Sequence, residues 1–233
     1  MSVKFACFVT GTDTGVGKTL ISSALLHALS QTGLKTVGMK PLAAGAEMRD
    51  GALHNDDVAA LEATSSLSVP RELVVPYLLQ EPAAPHIAAA LEHTAIDPQR
   101  LVQAYAQLAS EAEAVVVEGV GGFKVPLTDD FDTADLAEKL QLDVILVVGL
   151  RLGCLNHALL TAEAIAARGL TLAGWVANQI DPEMPHQQEN VEALRSRLSA
   201  PLLGVVRWMA APTADEAAAS IEASLLPGWP LPR

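Results

Sequence analysis

A glycine-rich turn that follows a hydrophobic strand and ends in lysine and a hydroxyl residue can hold phosphate. The chain has such a stretch near its start, Thr10-Gly11-Thr12-Asp13-Thr14-Gly15-Val16-Gly17-Lys18-Thr19. Glycines let the backbone wrap closely and turn its N–H groups toward phosphate oxygens. A helix opening at Lys18 adds the favourable end of its dipole. Lys18 would reach the β- and γ-phosphates, and the Thr19 hydroxyl would ligate Mg²⁺. The strict G-x-x-x-x-G-K-[ST] spacing is missed by one position. Five residues separate Gly11 from Gly17, and Thr12 holds the place of the first glycine.

Other residues with chemistry to offer also come directly after apolar runs. Lys40-Pro41 follows Thr36–Met39, and its lysine is either solvated or a second cation for a transferring phosphoryl group. Glu118-Gly119-Val120-Gly121-Gly122 follows Ala114–Val117. It is either a tight turn with an exposed acid or a Mg²⁺ carboxylate beside glycines that pass close to a ligand. Asp56-Asp57 opens a short helix, as its N-cap or as a second metal carboxylate. Leu152-Gly153-Cys154-Leu155-Asn156-His157 is another helix start, whose free N–H groups could hold a carboxylate. No base pairs visibly with Cys154, which argues against a thiol nucleophile. Asn178-Gln179 ends a further strand, where an amide can meet a purine edge. With Ile180-Asp181 it approaches the N-K-x-D base motif of GTPases, Gln179 replacing lysine.

Positioning these residues requires strands and helices in alternation, and the hydrophobic pattern supplies them. Strands are expected at Val3–Val9, Thr36–Met39, Ala114–Val117, Val144–Val148, Leu172–Ala177 and Leu202–Val206. Helices are expected at Lys18–Gln31, at Asp56–Thr64, from Asp97-Pro98 through Ala112, at His157–Arg168, around Val191–Leu198 and at Ala214–Leu225. Residues 41–55 read as loop, Glu72–Leu79 as ambiguous, and Asp129, Asp130 and Asp132 as a solvated loop. Strands apolar throughout and bounded by helices indicate an α/β fold of three layers: a mostly parallel central sheet with helices on both faces. Ligands of such sheets bind at the carboxyl ends of the strands. Residues 1–226 form one domain in this reading, and residues 227–233 a loosely held tail.

Composition removes several classes. The 233 residues are 50% hydrophobic and 18% charged, which excludes disorder. Net charge is −12, with no basic stripe, so nucleic acid is not expected as a partner. No apolar run nears the roughly 18 residues of a membrane span, and the apolar run after Met1-Ser2-Val3-Lys4 is too short for a secretory signal. Two cysteines make neither a disulfide framework nor a cysteine-rich metal site, and the six histidines lack metal spacing. A cytoplasmic protein is expected.

In combination, Gly11–Thr19, Lys40-Pro41, Glu118–Gly122, Leu152–His157 and Gly174-Trp175-Val176-Ala177-Asn178 resemble the ATP-dependent dethiobiotin synthetases, in order from about Phe8 to Met209. Pro85-His86-Ile87 and Pro201–Gly204 fit as well. The resemblance implies a P-loop NTPase fold and a homodimer that builds the ureido ring of dethiobiotin from 7,8-diaminononanoate, CO₂ and ATP with Mg²⁺. It implies that Gly15, Val16, Gly17, Lys18, Thr19 and Leu20 cradle the ATP phosphates, with Gly119, Val120 and Gly121 close to the nucleotide. Thr19, Asp57 and Glu118 would be the Mg²⁺ ligands, and Lys40 the active-site lysine with Lys18 beside it. Thr14, Lys18 and Ala44 would lie along the diamine. Gly153, Cys154, Leu155 and Asn156 would hold the substrate carboxylate from the other subunit. Asn178, Gln179, Arg207, Trp208 and Met209 would receive adenine. Two positions depart from the family pattern: Gly15 often is glutamate there, and Ala44 often serine.

Two other P-loop readings compete. A GTPase gains from Asn178–Asp181 but lacks a D-x-x-G switch after its acidic strand. A DNA-partitioning ATPase would carry a lysine early in the loop, where this chain has Asp13.

Overall fold

The apolar runs pair side by side, all parallel, in one six-stranded sheet. The computed structural model describes residues 3–231. In chain order the elements begin β1 (Phe5–Gly11), α1 (Lys18–Gln31), β2 (Thr36–Met39), β3 (Leu42–Ala43), β4 (Glu47–Arg49), β5 (Ala52–His54), α2 (Asp56–Thr64) and α3 (Arg71–Val74). There follow β6 (Tyr77–Leu78), α4 (Pro85–Leu91), α5 (Pro98–Glu111), β7 (Ala114–Glu118), α6 (Thr133–Leu140), β8 (Asp143–Gly149) and α7 (Cys154–Ala167). The chain ends with β9 (Leu172–Asn178), α8 (Gln187–Arg195), β10 (Leu202–Val206), α9 (Ala214–Ala218) and a 3₁₀ turn at Ala223–Leu225. Strand order in the main sheet is β10-β9-β8-β1-β7-β2, so the glycine-rich loop leaves the middle of the sheet.

Alternate residues of the buried strands feed opposite cores. Val116, Ile145 and Val147 meet Ile21, Leu25 and Leu29 of α1 and Ala217 of α9 on one face. Val115, Val117 and Val144 face Leu101 and Leu108 of α5 and Leu136 of α6 on the other, while Leu146, Val148 and Trp175 face α7 and α8 on that same side. No helix among the described residues is long and apolar enough to cross a membrane.

Several expectations need correction. Residues 41–55 are not plain loop, because Leu42–Ala43 pairs with Tyr77–Leu78 and Glu47–Arg49 forms an antiparallel hairpin with Ala52–His54. The ambiguous Glu72–Leu79 divides into the end of α3 and β6. Asp129 and Asp130 are exposed, but Asp132 is the N-cap of α6, a helix not expected at all. Its side chain accepts from the Asp135 amide while that of Asp135 accepts from the Asp132 amide, a reciprocal capping box. The last helix stops at Ala218, since the Glu222 amide turns back to donate to the Leu203 carbonyl of β10 at 2.7 Å. Within the tail, Trp229 packs edge-on against Phe5 with ring centroids 5.1 Å apart.

Candidate active site

Strand register assembles the site. β2 and β7 pair Met39 with Val117, so the next residues, Lys40 and Glu118, emerge together at the carboxyl rim. The two-residue period directs both toward the α1 face, the side on which Gly38 and Val116 meet α1. Thr19 lies there in the first turn of α1. Asp57 lies in the first turn of α2, which packs against α1 through Leu61. Asn55 caps α2 by accepting from the amides of Asp57 and Val58, which releases the Asp57 carboxylate for another task.

These side chains meet. The Lys40 ammonium donates to Asp57 Oδ2 at 2.8 Å, to Glu118 Oε1 at 2.5 Å and to the Gly119 carbonyl at 3.3 Å. Thr19 Oγ1 lies 2.6 Å from Asp57 Oδ1 and 2.8 Å from Glu118 Oε1. Glu118 is fully buried, and its Oε2 has no hydrogen-bond partner among the described residues. Lys18 donates to the Asp13 carbonyl at 3.1 Å. Burial, and then the neighbouring Lys40 charge, pull the Lys18 ammonium down to about 8. Burial pulls on Lys40 too, but the Glu118 and Asp57 carboxylates outweigh it and its pKa rises. Asp57 is the counterpart: burial raises its carboxyl, yet Lys40 and the Thr19 hydrogen bond hold it below the ordinary range.

The loop above is wedged in place. Val16 is fully buried, and a Cβ on Gly149 would come within 2.8 Å of its Cγ1. Asn178 Nδ2 donates to the Val16 carbonyl at 2.9 Å. Gly17 has φ +91°, and a Cβ there would fall 2.1 Å from the same Asn178 nitrogen. Glycine is thus required at position 17 both for conformation and for space. Asn178 braces the loop, a role the sequence reading did not assign to it. Asp13 is held by an ion pair with Arg151 and by the Thr14 amide, which donates to Asp13 Oδ1 at 2.7 Å. Nothing in the pattern marks Arg151. The contact follows from β1 pairing with β8, an order that spacing along the chain does not reveal.

A cavity of about 870 Å³ opens over this cluster. Thr14, Gly15, Gly17, Lys18, Thr19, Lys40 and Asp57 form its polar side, together with Val120 and Gly121. Ala43, Ala44, Pro82, Ala84 and Val125 form an apolar side. Gly153, Cys154, Leu155 and Asn156 do not line it; Cys154 is buried and Asn156 exposed at the start of α7. The Gln179 and Arg207–Met209 stretches lie together at the ends of β9 and β10. There the Trp208 amide donates to Gln179 Oε1 at 3.2 Å, and Leu20 and Met209 pack against one core. Among the described residues, no group of three or more His, Cys, Asp and Glu could hold a metal. Two carboxylates, one of them with an unpartnered oxygen, and a hydroxyl form a hard, all-oxygen donor set that fits Mg²⁺.

The chain matches a family model described as an AAA domain over residues 6–216. It is 58% identical over 234 residues to the ATP-dependent dethiobiotin synthetase BioD of Janthinobacterium sp. (strain Marseille), covering 99% of each chain. It is 56% identical over 223 residues to the enzyme of the same name from Aromatoleum aromaticum, covering 96% of this chain and 98% of that one. The chain belongs to the dethiobiotin synthetase family. The chain also shares its fold with more distant proteins. The septum site-determining protein MinD of Pyrococcus horikoshii, complexed with Mg-ADP, superposes with TM-score 0.56 at 17% identity over 97% of this chain and 89% of its own. That likeness establishes a P-loop NTPase architecture.

Proposed function

We propose that this member of the family catalyses ATP-dependent carboxylation and ring closure of 7,8-diaminononanoate to dethiobiotin, with residues 1–226 acting as one synthetase domain. The observation that carries the proposal is the meeting of Lys18, Lys40, Thr19, Asp57 and Glu118 at one rim, beneath a cavity with one apolar side. One substrate amine adds CO₂ to give a carbamate. A carbamate oxygen attacks the γ-phosphate and expels ADP, leaving a carbamic–phosphoric anhydride. The second amine attacks the anhydride carbon, phosphate leaves, and the ureido ring closes. No protein nucleophile is required, so the chain's task is positioning and charge stabilisation. Lys18 and Lys40 offset charge on carbamate and phosphoryl oxygens, and the N–H groups of Gly15–Thr19 orient the phosphates. Thr19, Asp57 and Glu118 would hold Mg²⁺, which supplies charge neutralisation at the phosphate oxygens.

The apolar side of the cavity, Ala43, Ala44, Pro82, Ala84 and Val125, suits the hydrocarbon part of the substrate. Family resemblance assigns its carboxylate to Gly153–Asn156 of a second copy in a homodimer; within one chain these residues stand outside the cavity. Adenine is assigned to the Gln179 and Arg207–Met209 rim. An assay of phosphate release and dethiobiotin formation, with diamine, bicarbonate and ATP each omitted in turn, tests the reading. Release that needs all three supports it; release indifferent to the diamine, or equally fast with GTP alone, ends it.

A further inference from the structure

Lys40 in this structure cannot perform the task assigned to it. An ammonium has three N–H donors, and all three are taken, by Asp57, Glu118 and the Gly119 carbonyl. None is left for a carbamate or a phosphoryl oxygen. The oxygens around it are short of cations. Thr19 has one hydroxyl proton but two carboxylate oxygens within 2.8 Å, so one of those contacts has no proton between its oxygens. Glu118 Oε2 is buried and unpartnered as well.

We propose that Lys40 is a resident counter-cation that the divalent metal displaces: ammonium and metal compete for Asp57 and Glu118, and arrival of the metal frees Lys40 to turn toward substrate. This rests on the metal site of the function proposed above. It couples the two cations in time, so that Lys40 is presented to the reacting groups only once the metal is in place. Until then it keeps the buried Glu118 carboxylate and the half-buried Asp57 carboxylate from facing each other uncompensated.

The test uses the full-length protein without nucleotide or diamine. Mn²⁺, as a probe for Mg²⁺, is titrated at constant ionic strength and its free fraction is read by electron paramagnetic resonance. A site that is competent only when Lys40 has left shows its affinity reduced by the competent fraction, so Lys40→Met should bind Mn²⁺ about tenfold tighter or more. Lys139→Met, an exposed lysine on α6, should match the parent protein. Equal affinity in the parent and Lys40→Met proteins overturns the exchange, as does an absence of Mn²⁺ binding in all three. A second reading, on the unaltered protein, needs no variant to fold. MgCl₂ should remove the protection of Lys40 from acetic anhydride, followed by peptide mass spectrometry; unchanged protection overturns the proposal. Neither measurement involves turnover, so failure of the exchange and failure of the synthetase reading remain distinct results.

Discussion

Glu118 has no exposed surface, and an isolated carboxylate in such a place would be costly in any fold. It is tolerated because β2–β7 register places the Lys40 ammonium against it at 2.5 Å. The same ammonium is assigned to the transferring phosphoryl group, so its removal should act on the chemical step. Lys40→Ala is expected to lower kcat for dethiobiotin formation about 100-fold, equivalent to roughly 3 kcal/mol of transition-state stabilisation. Near-normal turnover would take Lys40 out of the mechanism. Much at this scale was legible in the chain. Lys18, Lys40 and Glu118 each follow an apolar run directly, and Asp57 opens a helix, so position relative to an element marked them. Asn178 was legible as a strand-end amide. Its hydrogen bond to the Val16 carbonyl was not, because that contact joins the end of β9 to a loop 162 residues away in sequence.

The glycine-rich loop works as an element because three things hold it: the buried Val16 side chain, the Asn178 amide and the helix that begins at Lys18. Asn178→Ala removes one of them and leaves a buried carbonyl unpaired. A loss of about 1–3 kcal/mol follows, felt as a higher KM for ATP by up to roughly 100-fold with a smaller change in kcat. An unchanged KM would show that the loop holds its shape without the brace. At α6, burial raises the Asp135 carboxyl, but the Asp132 amide and Arg168 overcome this and hold it below its ordinary value. Its contribution to stability is therefore complete above about 3.9, the ordinary carboxylate value, and fades as pH falls through the lower folded value. Urea unfolding of Asp135→Asn should show a deficit of about 1 kcal/mol at pH 7 that shrinks as the medium is acidified through that range. A deficit independent of pH would assign the effect to shape instead of charge. This helix does carry a readable signal: Asp132 and Asp135 stand three apart immediately before Leu136, Ala137 and Leu140. The last helix is shorter than its pattern for the opposite reason. Ala214–Leu225 has helical composition, and the tertiary hydrogen bond from Glu222 to Leu203 overrides it.

For the molecule as a whole, the apolar runs announced a parallel sheet covered on both faces, while the order of its strands had to come from three-dimensional pairing. With β1 between β7 and β8, the loop of the first strand opens beside both the acid of the seventh and the α7 start that follows the eighth. The proposed dimer then predicts complementation. Lys40→Ala and Asn156→Ala subunits, each poorly active alone, should on equal mixing and exchange give half heterodimers with one intact site of two, hence about a quarter of wild-type activity. No recovery on mixing would place both residues in a site made by a single chain. At the opposite end of β1 from that rim, Trp229 leans on Phe5. The carboxyl-terminal segment is therefore a fastener on the strand's amino end, remote from the chemistry. A partner domain fused there would bear on how readily the first strand peels away under heat or mechanical load, and would leave turnover untouched.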